Sequence, residues 1–200
     1  MRLLLVVIFA LLTPSASAQT PPSDSELRAY RGLHAAAAAG NVTEIEKLAP
    51  GGRLEDKDGN SRTPLHVAVF MGRRDAARAL LRLGANPNAL DGQRYDIITI
   101  ASVANDVPML KLAIEGGASA KNITSPYDGT ALIAAAHLGH AEVVRTLIAA
   151  GAPLDHVNNL GWTALIEAVV LGNGGVPIIS LPFGRWSRPA PIPRSPTARA

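Results

Sequence analysis

His137 and His140 stand three residues apart, Glu142 follows two residues later, and His156 lies one loop beyond. These are the side chains of this chain most suited to holding a metal ion or activating a water. Zinc needs three or four ligands in a defined geometry. Gly139 lies between the two histidines and tends to end a helix, so the pair need not converge. The chain has no cysteine, which removes thiol nucleophiles, cysteine-bearing zinc sites and disulfides together. Ser102 and Ser119 have no base at motif spacing, no glycine-rich phosphate loop follows a strand, and no carboxylate pair stands out. No catalytic residue, cofactor or metal is therefore expected. A metal-binding or hydrolytic protein using His137, His140 and Glu142 stands as the alternative.

The elements that would position any such group are repeated ones. Residues 63–92 read TPLHVAVFMGRRDAARALLRLGANPNALDG. Thr63 can cap free N–H groups, and Pro64 suits the first helical position. Leu65, Ala68 and Val69 form a narrow apolar stripe, and Gly72 ends the helix by allowing a left-handed turn. A second helix starts near Asp75, carries Ala76, Ala79, Leu80 and Leu83 on one face, and stops at Gly84. Asp91-Gly92 reads as the tip of a short hairpin. Neither stripe can be buried by its own helix pair, so copies must stack on both sides.

Thr-Pro-Leu-His at 63–66, followed by Ala68, Gly72, Leu80, Leu81 and Gly84-Ala85, resembles the ankyrin repeat, whose period is about 33 residues. The frame returns at Thr130-Ala131-Leu132, Ala135 and Gly139, and again at Thr163-Ala164-Leu165, Ala168 and Gly172; both Thr130 to Thr163 and Gly139 to Gly172 are 33 residues. Asp96-Ile97-Ile98-Thr99 fills it loosely, with Asp able to cap and Asn105 tolerating the left-handed turn in place of Gly. Leu33-His34, Ala36 and Gly40 sit 32 residues ahead of their counterparts. The resemblance implies an all-α repeat solenoid of stacked helix-turn-helix units with β-hairpin loops. Its repeats would be 31–62, 63–95, 96–129 and 130–162, with an incomplete fifth at 163–172, and 19–30 would be a lead and N-terminal cap. In the family the motif histidine, here His34 and His66, is structural and bridges loop backbone groups.

The two ends read differently. Residues 1–18 carry Arg2, an unbroken apolar run from Leu3 to Leu12, and Ala16-Ser17-Ala18. Ten apolar residues are too few for a hydrocarbon core of about 30 Å, so this reads as a cleavable export signal, with a bacterial periplasm as the destination. The mature chain would begin near Gln19. At the other end, residues 176–200 hold six prolines, four arginines and no acid. Residues 173–200 read as a disordered Pro/Arg-rich tail or as the product of a reading frame shifted near codon 175. The tail and the leader carry the basic excess: residues 19–172 have 14 Lys+Arg against 16 Asp+Glu, net −2. No basic face for nucleic acid results.

What the resemblance implies is protein binding. Loop tips and the ends of the first helices line a concave groove in the family. In this frame the groove positions are Lys57, Asn60, Arg62, Phe70, Met71, Leu90, Gln93, Arg94, Tyr95, Val103, Tyr127, His137, Leu138, Leu160 and Trp162. Phe70, Tyr95, Tyr127 and Trp162 are the strongest candidates, because aromatic and Arg residues carry disproportionate interface energy. The expected protein is a non-enzymatic interaction module of the periplasm that binds another exported or envelope protein. Incomplete repeat five leaves Leu165, Ala168 and Val169 poorly covered, which invites self-association or marks a truncated, non-functional variant.

Overall fold

The computed structural model describes residues 19–51 and 53–172. The expected signal segment 1–18 and the tail 173–200 lie outside the described residues. Among the described residues ten α-helices form: α1 (Asp24–Ala29), α2 (Gly32–Ala39), α3 (Val42–Leu48), α4 (Pro64–Phe70), α5 (Arg74–Arg82), α6 (Ile97–Val103), α7 (Val107–Glu115), α8 (Ala131–His137), α9 (Ala141–Ala149) and α10 (Ala164–Val170).

Repeats two to five start the same way because the same kind of cap is present, whereas Arg31 ahead of α2 makes no side-chain cap hydrogen bond. Thr63, Asp96, Thr130 and Thr163 accept from the backbone N–H groups of His66, Thr99, Ile133 and Ile166, respectively. The reversal into the second helix uses a left-handed residue, Gly72 at φ 64°, Gly139 at φ 72° and, in repeat three, Asn105 at φ 54°. Asn is one of the few side chains that accepts this conformation cheaply, so the loose third repeat keeps the shared geometry. Pro108 falls in the first turn of α7, where its missing N–H costs nothing.

The first helices pack in a row, α2 on α4, α4 on α6, α6 on α8 and α8 on α10, while α3, α5, α7 and α9 form a second layer behind them. One core runs the length of the stack, from Leu33 and Ile45 through Leu80, Ile98 and Leu110 to Leu132, Leu147 and Ala168. Small residues let the layers approach. A Cβ added to Gly116 would come within 2.6 Å of the Leu81 side-chain end, so Leu81 would have to turn away to admit one.

The start of the first repeat has its own form, and the expected hairpin loops need correction. The Ala-rich segment 25–39 holds two helices. It breaks at Tyr30, whose ψ of 145° ends α1 before Gly32 opens α2. The loops are also tighter than two-stranded hairpins: among the described residues no strand forms, and the single antiparallel bridge joins Thr124 to Gly129. Each tip spends its backbone groups on side chains within five residues, which leaves too little chain for a ladder. Among the described residues no helix is long and apolar enough to cross a membrane.

Candidate interaction surface

Four loop tips carry one hydrogen-bonded turn in register. Asp58 Oδ1 accepts from Asn60 N–H and Arg62 N–H, both at 2.8 Å. Asp91 Oδ1 accepts from Gln93 N–H and Tyr95 N–H, both at 2.9 Å. Asn158 Oδ1 accepts from Leu160 N–H at 3.0 Å and Trp162 N–H at 2.9 Å. Ser125 Oγ takes the role in the third tip, accepting from Tyr127 and Gly129 N–H at 3.2 and 3.3 Å. The fourth residue of each turn is left-handed: Ser61, Arg94, Asp128 and Gly161. The tips are tied to one another by Gly92 N–H to Asn60 O at 2.8 Å, Ser125 N–H to Arg94 O at 2.8 Å, and Asn159 N–H to Tyr127 O at 3.0 Å. A Cβ at position 92 would lie 2.8 Å from the Asn60 carbonyl oxygen, so only glycine permits the first rung.

His34 and His66 tie the first two tips to the helices behind them. His34 Nε2 donates to Arg62 O at 2.9 Å. His66 Nδ1 accepts from Thr63 N–H at 3.2 Å, so its Nε2 carries the proton and donates to Ala89 O at 3.0 Å and Tyr95 O at 3.3 Å. Burial holds the His66 pKa below its ordinary value, consistent with a neutral ring in this role. Repeat three lacks the histidine and substitutes a polar network. Buried Asp96 accepts from the Thr99 hydroxyl at 2.6 Å and from Asn122 Nδ2 at 2.8 Å, and Thr99 Oγ1 lies 3.0 Å from Thr124 Oγ1.

Two of the expected binding residues are corrected by burial. Arg62 is 1% exposed. Its guanidinium donates to Asp58 at 2.8 Å, to Glu26, and to Thr20 O at 3.3 Å. Tyr30 completes the cluster, donating to Asp58 Oδ2 at 2.6 Å and lying against the His34 ring with centroids 5.4 Å apart. Burial pushes the Asp58 carboxyl up, but hydrogen bonds from the Tyr30 hydroxyl and from the Arg62 and Asn60 N–H groups outweigh it, and its pKa lies below the usual value. Glu26 is also held low, first by the Ser23 N–H. Burial, reinforced by the bond to Asp58, pushes the Tyr30 hydroxyl up. Sequence reasoning missed Glu26 as a partner of Arg62 and Tyr30 as a partner of Asp58 because they precede the repeat frame; the Ser23–Glu26 capping box was the one local signal there. Tyr95 is 7% exposed and belongs to the core.

The other candidates remain at the surface. Phe70, Met71, Tyr127 and Trp162 are half-buried. Arg94 is half-exposed and pairs with Asp128 at 3.0 Å. Leu138 is 44% and Leu160 59% exposed, and exposed His137 contacts buried Glu167 at 2.9 Å. The alternative metal set is not assembled: His137 goes to Glu167, His140 Nδ1 to Ser102 O at 2.9 Å, and Glu142 to Arg145 at 2.9 Å. Among the described residues no group of three or more His, Cys, Asp or Glu is placed to hold a metal ion.

Stacked helix pairs joined by registered loop tips define a repeat solenoid whose accessible edge is its loop row. A family model described as ankyrin repeats (3 copies) matches residues 7–91 and 98–179, and the chain belongs to the ankyrin repeat family. Ankyrin repeats are protein–protein interaction modules. The chain is 27% identical over 143 residues to the ankyrin repeat protein YahD of Escherichia coli, covering 70% of this chain and 71% of that one. Its fold is similar to the crystal structure of an ankyrin repeat domain from Acinetobacter baumannii, with a TM-score of 0.68 and 41% identity over 74% of this chain and 76% of the other. It is also 31% identical over 127 residues to the glycerophosphocholine phosphodiesterase gde1 of Schizosaccharomyces pombe. That match covers 64% of this chain and only 8% of the relative, so the likeness is to its repeats.

Proposed function

We propose that the chain is a non-enzymatic interaction module that acts in the bacterial periplasm, where its loop row and the ends of its first helices bind another exported or envelope protein. The observation that carries the reading is a register of surface side chains. Phe70-Met71, Val103-Ala104, His137-Leu138 and Val170-Leu171 occupy one position at the ends of α4, α6, α8 and α10, and the tip residues Asn60, Gln93, Tyr127 and Leu160 repeat in their own register ahead of those helices. Because the first helices stack directly on one another, these positions run along one edge of the stack. Aromatic and aliphatic groups presented this way suit a protein surface, where a few large side chains dominate affinity.

The experiment is in two parts. Fractionation of a bacterial host expressing the full chain, with N-terminal sequencing, tests export; a product retained in the cytoplasm with Met1 intact sinks the periplasmic reading. Cross-linking in the periplasm then compares the unchanged chain with Tyr127→Ser/Leu138→Ser. A protein adduct lost in the double variant supports the surface, whereas an adduct equally strong in both moves the interaction elsewhere.

A further inference from the structure

At the third position of the tips the chemistry changes along the row: Asn60 and Gln93, then Tyr127 and Leu160. The two amides are engaged by the chain's own N-terminal segment. Thr20 N–H donates to Gln93 Oε1 at 3.0 Å, Arg62 Nη1 donates to Thr20 O at 3.3 Å, and Asn60 Nδ2 donates to Glu26 Oε1. Thr20 therefore lies between tips one and two, with its main chain bonded to side chains of both, and the two prolines after it favour an extended main chain. Pro22 is buried. A tethered segment meets its site at high effective concentration, so an external peptide competes poorly there.

Tips three and four differ. Among the described residues the exposed large apolar side chains all lie from Ile123 onward: Ile123, Leu138, Val157, Leu160, Ile166, Val169, Val170 and Leu171. Ile166 and Val169 belong to the open end of the stack, whereas Leu160 lies in tip four and Leu138 and Leu171 cap the C-terminal ends of α8 and α10. The ionisable groups beside this part of the molecule pair with each other, Arg94 of tip two with Asp128 and the His137 ring with the Glu167 carboxylate. A charged ligand would lose hydration there without gaining a counter-ion, whereas an apolar one gains burial.

We propose that the binding surface is confined to tips three and four and the ends of α8 and α10. There it takes an extended, uncharged peptide segment with apolar side chains, in line with the lead that bridges tips one and two in cis. This rests on the interaction-module reading above. The probe is a displayed library of random unstructured peptides panned against the full chain. Selected peptides are expected to be apolar and near zero net charge. They should bind roughly tenfold or more weakly to Tyr127→Ser/Leu160→Ser and within about twofold of normal to Lys57→Ser. A synthetic peptide of residues 19–24 is expected to bind a chain beginning at Ser23 and not the chain that keeps its lead.

Selected peptides that are charged, or that lose affinity at Lys57 and not at Tyr127 and Leu160, overturn the inference while leaving the module reading intact. Binding insensitive to every loop-row and helix-end substitution overturns both. Failure of the panning to yield any peptide overturns the inference alone, since the cross-linking experiment tests the module independently. Circular dichroism of each variant separates lost binding from lost folding.

Discussion

The two ends of the stack meet solvent with opposite chemistry. At the N-terminal end Arg62, Asp58, Glu26 and Tyr30 join the first repeat to α1 through a partly buried polar network, and the lead continues it to Gln93. At the C-terminal end the described chain stops with α10, and positions that are buried in earlier repeats lie open. Val69 is 6% exposed, Ser102 and Ala136 0%, yet Val169 in the same register is 58% exposed. The shared helix sequence does not decide burial; the neighbour does. A repeat face is core only while something stacks on it.

That contrast can be broken most strongly at Arg62. Arg62→Ala removes the buried guanidinium that bonds Asp58, Glu26 and Thr20 O, and breaking a buried ion pair by deleting one partner costs about 3–5 kcal/mol. The urea midpoint followed by circular dichroism should fall accordingly. A fall as small as that of an exposed arginine would mean the N-terminal network is decoration.

Next comes the same register read at two depths. Leu132→Ala, at a fully buried site, should cost about 2–5 kcal/mol. Leu165→Ala, one repeat later and only partly buried, should cost less than half as much, on the order of 1 kcal/mol. Equal losses would show that the end of the stack is as well packed as its middle.

Acid should loosen the His66 ties and the N-terminal network. His66 has a lowered folded pKa, so the unfolded chain binds its proton first and stability falls as pH drops below the ordinary value of 6.5. Glu26 and Asp58, also lowered, add losses only once pH passes below their ordinary values of 4.5 and 3.8. Urea midpoints across this range should decline in two stages, and His66→Asn should flatten the first stage only. A profile level down to pH 5 would contradict the buried neutral ring.

A smaller effect is expected inside repeat three, where Asp96→Ala removes a helix cap, a change worth about 0.5–2 kcal/mol. The smallest is Arg94→Ala, since exposed pairs such as Arg94–Asp128 contribute about 0–1 kcal/mol. Any larger loss there would mean that the tips hold the stack together more than its core does.

Much of this was legible without a structure. The period, the caps Thr63, Asp96, Thr130 and Thr163, and the structural histidines all follow from groups within a few residues of one another or from a repeat visible at a fixed offset. Leu138 and Leu160 were placed at the surface by the same register. Arg62 and Tyr95 were misplaced because register gives a position's direction but not what lies over it.

The amino-acid sequence by itself determined the unit, its number and its stacking, because helix periodicity, capping and turn preference are local physics repeated along the chain. Only the tertiary structure decided which groove positions stay open. Glu26 reaches Arg62 across 36 residues and Thr20 reaches Gln93 across 73. Contacts at such separations depend on how the folded ends come together, and no spacing rule encodes them.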